Sequence, residues 1–372
     1  MSHISLHHLT GVRIAIWRAL GTLLRSVRSE EHHLLEAIRH DPQGSEAYRV
    51  YADWLMSQHD PFGEVISTWL TAEAAPSALE TQKLSDAAMA LADGLPEVRS
   101  RLVGTTHRWH RGFVTSVSAN LQNFDLRHFL EGRVAKCVRK LQLRGNAELL
   151  NESIGMLSAA APASVDEVRF EQRDLSIEDE VPALVGLMAL PQLRSLGLSQ
   201  GRYDFSGLSF DQLHHLDVRC TGQIESLHHA WARGFGPQLR SLEAYDVPLS
   251  ADALLKPLER GQFDKLLSLA LAVSEADEVI KRLTQNPALI KNLTSLSVLG
   301  PVSEVGFGYL LAKPELFQGI ARLEISRRRV RSTFFQKQVL PVFPQLKANA
   351  VTWGARKYPY QHRALQRVPS LE

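Results

Sequence analysis

Val138-Arg139-Lys140-Leu141-Gln142-Leu143, Val165-Asp166-Glu167-Val168-Arg169-Phe170 and Leu266-Leu267-Ser268-Leu269-Ala270-Leu271 are one pattern written three times: a hexapeptide with apolar residues at positions 1, 4 and 6. The same spacing starts at Leu193, Leu213, Leu239, Leu293 and Ile320, and a frayed copy runs from Leu346 to Val351. Successive starts lie 27, 28, 20, 26, 27, 27, 27 and 26 residues apart. A fixed period of this size marks a chain built from stacked units, each too small to bury its own apolar face. Positions 4 and 6 alternate with polar residues, as expected of a strand with one side in a core.

The segments between these hexapeptides set the connection type. Ala147 to Leu157, Val181 to Leu190, Ala251 to Leu258 and Ala276 to Leu283 carry helical apolar spacing. A strand, a helix and another strand in a short repeat predict parallel pairing with helices on one side of the sheet. Only the 20-residue interval from Leu193 to Leu213 is too short for a helix, and an extended or 3₁₀ turn is expected there. Several hexapeptides follow Pro or Phe by two or three residues, as in Pro191-Gln192-Leu193, Phe263-Asp264-Lys265-Leu266 and Pro344-Gln345-Leu346. The L-x-x-L-x-L core and the period resemble the ribonuclease-inhibitor-like type of leucine-rich repeat. Asn146 stands where that family places Asn or Cys after the core, whereas Arg173, Thr221 and Ser274 depart from it. The resemblance implies an α/β leucine-rich-repeat solenoid, a curved parallel sheet with helices on the convex side. Val114, Val117 and Ala119 fit one further strand ahead of the array.

Upstream, residues 30 to 70 are dense in helix signals. Leu34, Leu35 and Ile38 share a helical face, Asp41-Pro42-Gln43-Gly44 ends that helix, and Ser45 is placed to cap the next. Ala47, Val50, Tyr51, Trp54 and Leu55 follow at helical spacing, and an ion pair between Arg49 and Asp53 is expected on the polar side. Glu36-Ala37-Ile38, Asp41-Pro42, Arg49-Val50-Tyr51-Ala52-Asp53-Trp54-Leu55, Asp60-Pro61 and Gly63-Glu64 resemble the bacterial repeat-companion domain, which precedes repeat arrays. Gln43-Gly44 and His59 depart from its usual residues. Trp109-His110-Arg111-Gly112-Phe113 is similar to the segment that joins such a domain to its array. The expected organisation is a basic amphipathic helix over 1–28, a helical companion domain with bridging helices over 29–104, the array over 105–352 and a basic cap or tail over 353–372.

The chain has 372 residues, 44% hydrophobic and 22% charged, within the range of folded domains and outside that of disordered or collagen-like chains. Two cysteines, Cys137 and Cys220, predict free thiols in a reducing compartment rather than a disulfide framework, and a cytoplasmic location. Arg13, Arg18 and Arg25 interrupt the N-terminal apolar residues, and no stretch is long enough to span a bilayer. The helical face of Trp17, Leu20, Leu24 and Val27 predicts docking on the next domain, or on a membrane or partner.

Motifs for a phosphate-binding loop, a nucleophile elbow, a dinucleotide fold or a zinc-dependent protease are missing. His214 and His215 lie on opposite faces of a strand, and His107 and His110 sit beside Arg108 and Arg111, so neither pair suits a metal. Cys137 and Cys220 fall at repeat cores and lack the Cys-x-Asp pattern of bacterial leucine-rich-repeat ubiquitin ligases. No catalytic residue, cofactor, metal or small-molecule substrate is therefore expected.

The polar positions of each hexapeptide face away from the core, on the concave side of the expected solenoid. They place Lys140, Gln142 and Arg144 on one strand and Glu167, Arg169 and Glu171 on the next. Ser195, Gly197 and Ser199 follow, then His215, Asp217 and Arg219, then Ser241, Glu243 and Tyr245. Ser268, Ala270, Ala272, Ser295, Ser297 and Leu299 make a small, uncharged stretch before Arg322 and Glu324. Nine strands at ~4.8 Å give ~40 Å of surface, enough for a protein or peptide. A scaffold or adaptor binding a protein partner there, with Arg169, Arg219 and Tyr245 as anchors, is the expected function.

The net charge of +2 conceals a division, −7 over residues 1–320 and +9 over 321–372. Arg327, Arg328, Arg329 and Arg331, then Arg356 and Lys357, with Trp353, Tyr358 and Tyr360 interleaved, keep open a contact with nucleic acid or an anionic membrane.

Overall fold

The structure, a computed structural model, describes residues 29–350 apart from 76, 174–180, 209–211, 220–237, 246–250, 252–254, 257–258, 260–263 and 328–329. It forms two compact units, Met1–Gly201 and Arg202–Glu372. Among the described residues, no helix is long and apolar enough to cross a membrane.

The first unit begins with helices: α1 (residues 29–40), α2 (Glu46–Ser57), α3 (Phe62–Glu73), α4 (Ala78–Gly94) and α5 (Pro96–Arg101). The buried stripe of α2 is Tyr48, Tyr51, Ala52 and Leu55, while Val50 is 45% exposed. Tyr51 and Leu55 lie on the predicted face, but it is turned towards Tyr48 because that ring has more apolar surface to bury than Ala47 or Val50. Ser45 holds the N-cap position, but its backbone is helical and its hydroxyl caps nothing. Arg49 reaches Glu46, 3.8 Å away, rather than Asp53. Ser77 does cap α4: its hydroxyl accepts from the Glu80 amide at 3.3 Å and donates to the Glu80 carboxylate at 3.1 Å.

A hairpin follows, of which only the second strand, through Val114, Val117 and Ala119, is foreseen from the sequence. Strand β1 (Thr105–His110) runs antiparallel to β2 (Phe113–Asn120), with a bulge at Arg108/Trp109 and a turn at Arg111 and Gly112, both at positive φ. Phe113 seats the hairpin among the helices, its ring centroid 6.0 Å from Tyr48, 5.9 Å from Tyr51 and 5.7 Å from Phe62.

Parallel to β2 come β3 (Lys140–Gly145), β4 (Glu167–Gln172) and β5 (Ser195–Ser199), paired in chain order. Between them stand α6 (Leu126–Glu131) and α7 (Ala147–Ala160), the latter capped by Asn146, whose side chain accepts from the Leu149 amide at 2.9 Å. The segment expected to be α-helical between β4 and β5 is instead a 3₁₀ helix, Leu184–Ala189. Its three-residue turn stacks Leu184 on Leu187, both fully buried, and leaves Val185 and Met188 outside.

In the second unit β6 (His215–Arg219), β7 (Ser241–Tyr245), β8 (Ser268–Ala272), β9 (Ser295–Val302), β10 (Arg322–Arg327) and β11 (Leu346–Ala350) are parallel and paired in chain order. Helices α8 (Ala276–Gln285), α9 (Glu304–Ala312) and α10 (Glu315–Gln318) connect the later strands. The described residues between Ser199 and Leu213 contain no helix, as the short interval requires. Most of the helix expected over Ala251 to Leu258 lies outside the described residues. In neither unit does the first strand pair with the last, so neither sheet closes.

Positions 1, 4 and 6 of all eight full hexapeptides are at most 5% exposed. A repeated backbone contact fixes the register. The carbonyl of position 2 accepts from two consecutive amides of the next hexapeptide: Arg139 from Asp166 and Glu167, His214 from Arg240 and Ser241, Arg240 from Leu267 and Ser268, Leu267 from Thr294 and Ser295. All eight bonds measure 2.8–3.1 Å. Slipping one strand by a residue would break this contact and turn its leucines outward.

Candidate functional site

Because positions 1, 4 and 6 face the core, positions 3 and 5 and the residue after position 6 form a grid on the outer face of each sheet. In the first unit Lys140, Glu167 and Ser195 lie in one cross-strand row, Gln142, Arg169 and Gly197 in the next, and Arg144, Glu171 and Ser199 in the third. Most of its charge is already matched. Lys140 pairs with Glu167 at 3.0 Å, Arg169 with Glu167 at 2.8 Å and Arg144 with Glu171 at 3.3 Å. Burial alone would raise the Glu167 carboxyl, but hydrogen bonds from Arg169 and Lys140 outweigh it and hold the group below its ordinary value. The stem of Arg169 lies over Gly197, where a Cβ would come within 2.8 Å of Arg169 Cγ. This grid is a set of ion pairs within and between strands rather than a row of open anchors.

The second unit differs. His215, Ser241, Ser268, Ser295 and Arg322 form the first row, and Asp217, Glu243, Ala270, Ser297 and Glu324 the second. In the third, Arg219 is in register with Tyr245, and Ala272 with Leu299. Tyr245, Ala270 and Ala272 form a small buried apolar cluster on this face, with Leu299 packed against it. Arg219 lies over the Tyr245 ring, 4.9 Å from its centroid, and bonds Asp217 at 2.9 Å and Glu243 at 3.3 Å. Burial, and then the Glu243 charge, push the Tyr245 phenol well above its ordinary value, so it stays protonated. Arg322 is exposed and Glu324 half-buried on the far side. Ser326, on the same strand at the shift of register with β9, is fully buried and its Oγ has no hydrogen-bond partner.

The structure thus brings Asp217, Arg219, Glu243 and Tyr245 together, and separately Lys140, Glu167 and Arg169; Gln142 stands half-exposed between the two charged rows of the first grid. Arg331 is engaged in a two-pronged ion pair with Glu304, at 2.9 and 2.8 Å, whose hydrogen bonds hold the Glu304 carboxyl down at about 2. Arg327 ends β10. Arg328, Arg329, Arg356, Lys357, Cys220 and the helix predicted over 1–28 lie outside the described residues.

Several structural anchors were not singled out from the sequence. Arg111 bonds Glu73 through Nε at 2.8 Å, donates to the Gln43 and Gly44 carbonyls at 2.8 and 2.7 Å, and lies 5.0 Å over the Tyr48 ring. Arg133 pairs with Asp60 and, at 3.2 Å, with Glu31, which also accepts from the Tyr51 hydroxyl at 2.9 Å. Only their basic character was legible, since partners 38 to 102 residues away leave no local signal.

Cys137 is buried, and desolvation pushes its thiol up to about 12. His107 stands edge-on to Trp109 with ring centroids 5.8 Å apart. Among the described residues no three His, Cys, Asp or Glu side chains are grouped to hold a metal ion. A cleft of about 410 Å³ beside α6 and α7 is lined by Leu121, Phe124, Leu126, Leu149 and Met156. Asp125 on its rim is already occupied as the cap of α6, accepting from the His128 amide at 2.9 Å.

No protein-family model matches the chain, and no curated protein matches it in sequence. Among solved structures, a crystal structure of a Bacteroides fragilis protein from a structural-genomics programme is similar over 59% of this chain and 67% of that one, with 13% identity and a TM-score of 0.43.

Proposed function

We propose that the chain is a non-enzymatic scaffold of the leucine-rich-repeat type, a solenoid preceded by a helical companion domain, that seats a protein partner on the outer face of its sheet. The repeat reading is supported by buried positions 1, 4 and 6 in every full hexapeptide and by the recurring position-2 carbonyl contact. The binding reading rests on one observation, the apolar cluster of Tyr245, Ala270, Ala272 and Leu299 on the side of the sheet away from the leucine core. Tyr245, Ala270 and Ala272 are at most 9% exposed, so the cluster is a rigid floor, and the half-buried Leu299 with the charged side chains around it is what a partner would meet. Arg219 and Tyr245, locked together by stacking and ion pairs, are pre-organised anchors that lose little side-chain entropy on binding. The buried, protonated Cys137 suits a reducing compartment such as the cytoplasm.

The test is affinity capture from the native cell with the full chain as bait, read by mass spectrometry. Wild type is expected to enrich one protein, with recovery at least ten-fold lower on Ala270→Trp and Tyr245→Ala baits of unchanged melting temperature. Equal recovery on all three baits, or no enrichment on wild type, would overturn the proposal. Recovery that collapses as salt rises, and that is insensitive to both substitutions, would instead favour a polyanion partner.

A further inference from the structure

The outer grid of the first unit continues past β3 onto the hairpin. Register sets Arg108 of β1 beside Ser116 of β2, and Ser116 beside Lys140 of β3. Thr106, Ser118 and Gln142 form the next row, and Asn120 lies beside Arg144 in the third. Ser116, Ser118 and Asn120 are short and half-buried, whereas Thr106, Arg108 and Lys140 are exposed. Strand β2 is therefore the floor of a polar groove whose walls are β1 and β3. The walls stand two strand spacings apart, ~10 Å, which admits one extended chain of ~5 Å but not an α-helix ~10–12 Å across. Because β2 is already paired with β1 on one side and β3 on the other, an occupant is held by side chains and not by strand addition.

The walls are cationic, and ion pairing does not consume that charge. Glu167 is shared between Lys140 and Arg169, at 3.0 and 2.8 Å, and Glu171 between Arg144 and Arg173, at 3.3 and 3.7 Å, so neither Lys140 nor Arg144 has a carboxylate to itself. Both carboxylates lie low, with side chains 18 and 23% exposed against 57% for Lys140, so an approaching ligand meets the cations first. Among the described residues the Arg108 guanidinium makes no ion pair and the Ser116 hydroxyl beside it no hydrogen bond. Arg144 leans over the floor, one terminal nitrogen donating to Ser118 Oγ at 3.2 Å.

From this groove we infer that the first unit takes an extended acidic peptide segment, with one carboxylate over Ser116 between Arg108 and Lys140 and a second beside Arg144. These two places are four residues apart along β2, ~13 Å, so the acids stand at i and i+4 of the extended segment, both turned to the sheet. The three rows carry no aromatic side chain on which bases could stack, which favours a peptide over a single-stranded nucleic acid. The inference rests on the reading that a protein lies on the outer face, and adds the chemistry of the segment that the first unit takes.

The probe is a displayed library of eleven-residue peptides on a Thr and Val framework, with Glu, Lys or Ser free to occur at every second position. Selection against the full-length protein is expected to enrich pairs of Glu four residues apart. In fluorescence anisotropy a synthetic winner should lose at least ten-fold in affinity when its Glu residues become Gln, and at least three-fold as salt rises from about 50 to about 300 mM. It should stay within three-fold when Pro follows the first Glu, since no helix forms. Affinity should fall at least ten-fold on Arg108→Glu and on Ser116→Trp, and at least three-fold on Lys140→Gln, in proteins of native melting temperature. Enrichment of Lys or of nothing, or binding insensitive to Arg108→Glu and Ser116→Trp, would overturn the inference. Tighter binding of a 12-nucleotide oligothymidylate, lost on the same substitutions, would overturn it in favour of nucleic acid, and a winner abolished by the Pro would sink the extended conformation. If cellular capture is lost on Ala270→Trp while the library yields nothing, the groove fails and the protein-binding reading stands. If the library behaves as expected while capture ignores Ala270→Trp and Tyr245→Ala, the reading centred on the second unit fails and the groove stands.

Discussion

Arg111 shows how much rests on single side chains far from any motif. Its guanidinium is buried against Glu73 and satisfies two carbonyls of the turn between α1 and α2. Arg111→Met keeps the stacking volume over Tyr48 but strands those carbonyls, and should cost about 2–4 kcal/mol, read as a lower urea midpoint. Gly112 beside it has φ 85°, and an added Cβ would meet Ile66 Cγ1 at 2.7 Å. Gly112→Ala combines left-handed strain with a clash in a packed helix and should lose about 1–3 kcal/mol in the same measurement. Burial, together with the Arg111 charge, lowers the His110 pKa below 6.5, and burial also lowers that of His107. The unfolded chain then binds protons that the fold refuses, so stability is full above 6.5 and declines as pH falls below it. For Cys137 the sign is reversed: its raised pKa lets the fold keep a proton that the unfolded chain releases, so stability is lost as pH climbs from about 9 towards 12. Urea unfolding between pH 5 and 11 should show both arms, with the acid arm shallower in His110→Phe and the alkaline arm shallower in Cys137→Ala. Unchanged arms in these variants would refute the assignment.

At the scale of elements, the hexapeptides are legible because each carries its own reason. Positions 4 and 6 alternate about a strand, position 1 covers the layer below, and all three are buried together. Leu269, fully buried in β8, should cost about 2–5 kcal/mol as Leu269→Ala, whereas Ser268→Ala on the opposite face should stay near wild type by the same thermal unfolding. Asn146 is equally readable, a cap before an apolar-periodic run, and Asn146→Ala should lose about 1 kcal/mol. The hairpin strand β1 escaped because Thr105-Thr106-His107-Arg108-Trp109-His110 has no apolar alternation; it is held by pairing with β2 and by the docking of Phe113. The 3₁₀ stretch from Leu184 to Ala189 escaped for another reason. Leu184 and Leu187 satisfy an α-helical spacing and a 3₁₀ spacing equally, and the room between β4 and β5 chooses.

For the whole molecule, the sequence by itself determined which residues repeat, which side of each strand is buried and that the strands run parallel, since these follow from local periodicity and the length of each connection. The same alternation puts the polar positions of each hexapeptide on the side away from the leucines. What the sequence did not reveal is how the charges of that face pair with one another in both units. Arg169, an expected anchor, is held by Glu167 on its own strand, while register sets Lys140 beside Glu167 and Arg144 beside Glu171, so these charges neutralise one another. Tyr245 is an expected anchor, and Ala270, Ala272 and Leu299 belong to the expected small, uncharged stretch; register gathers all four into one apolar cluster beside the Arg219 stack. Only the tertiary structure decided this, because residues 26 or 27 positions apart become neighbours at strand spacing when the hexapeptides align. Local sequence carries no term for a partner that distant.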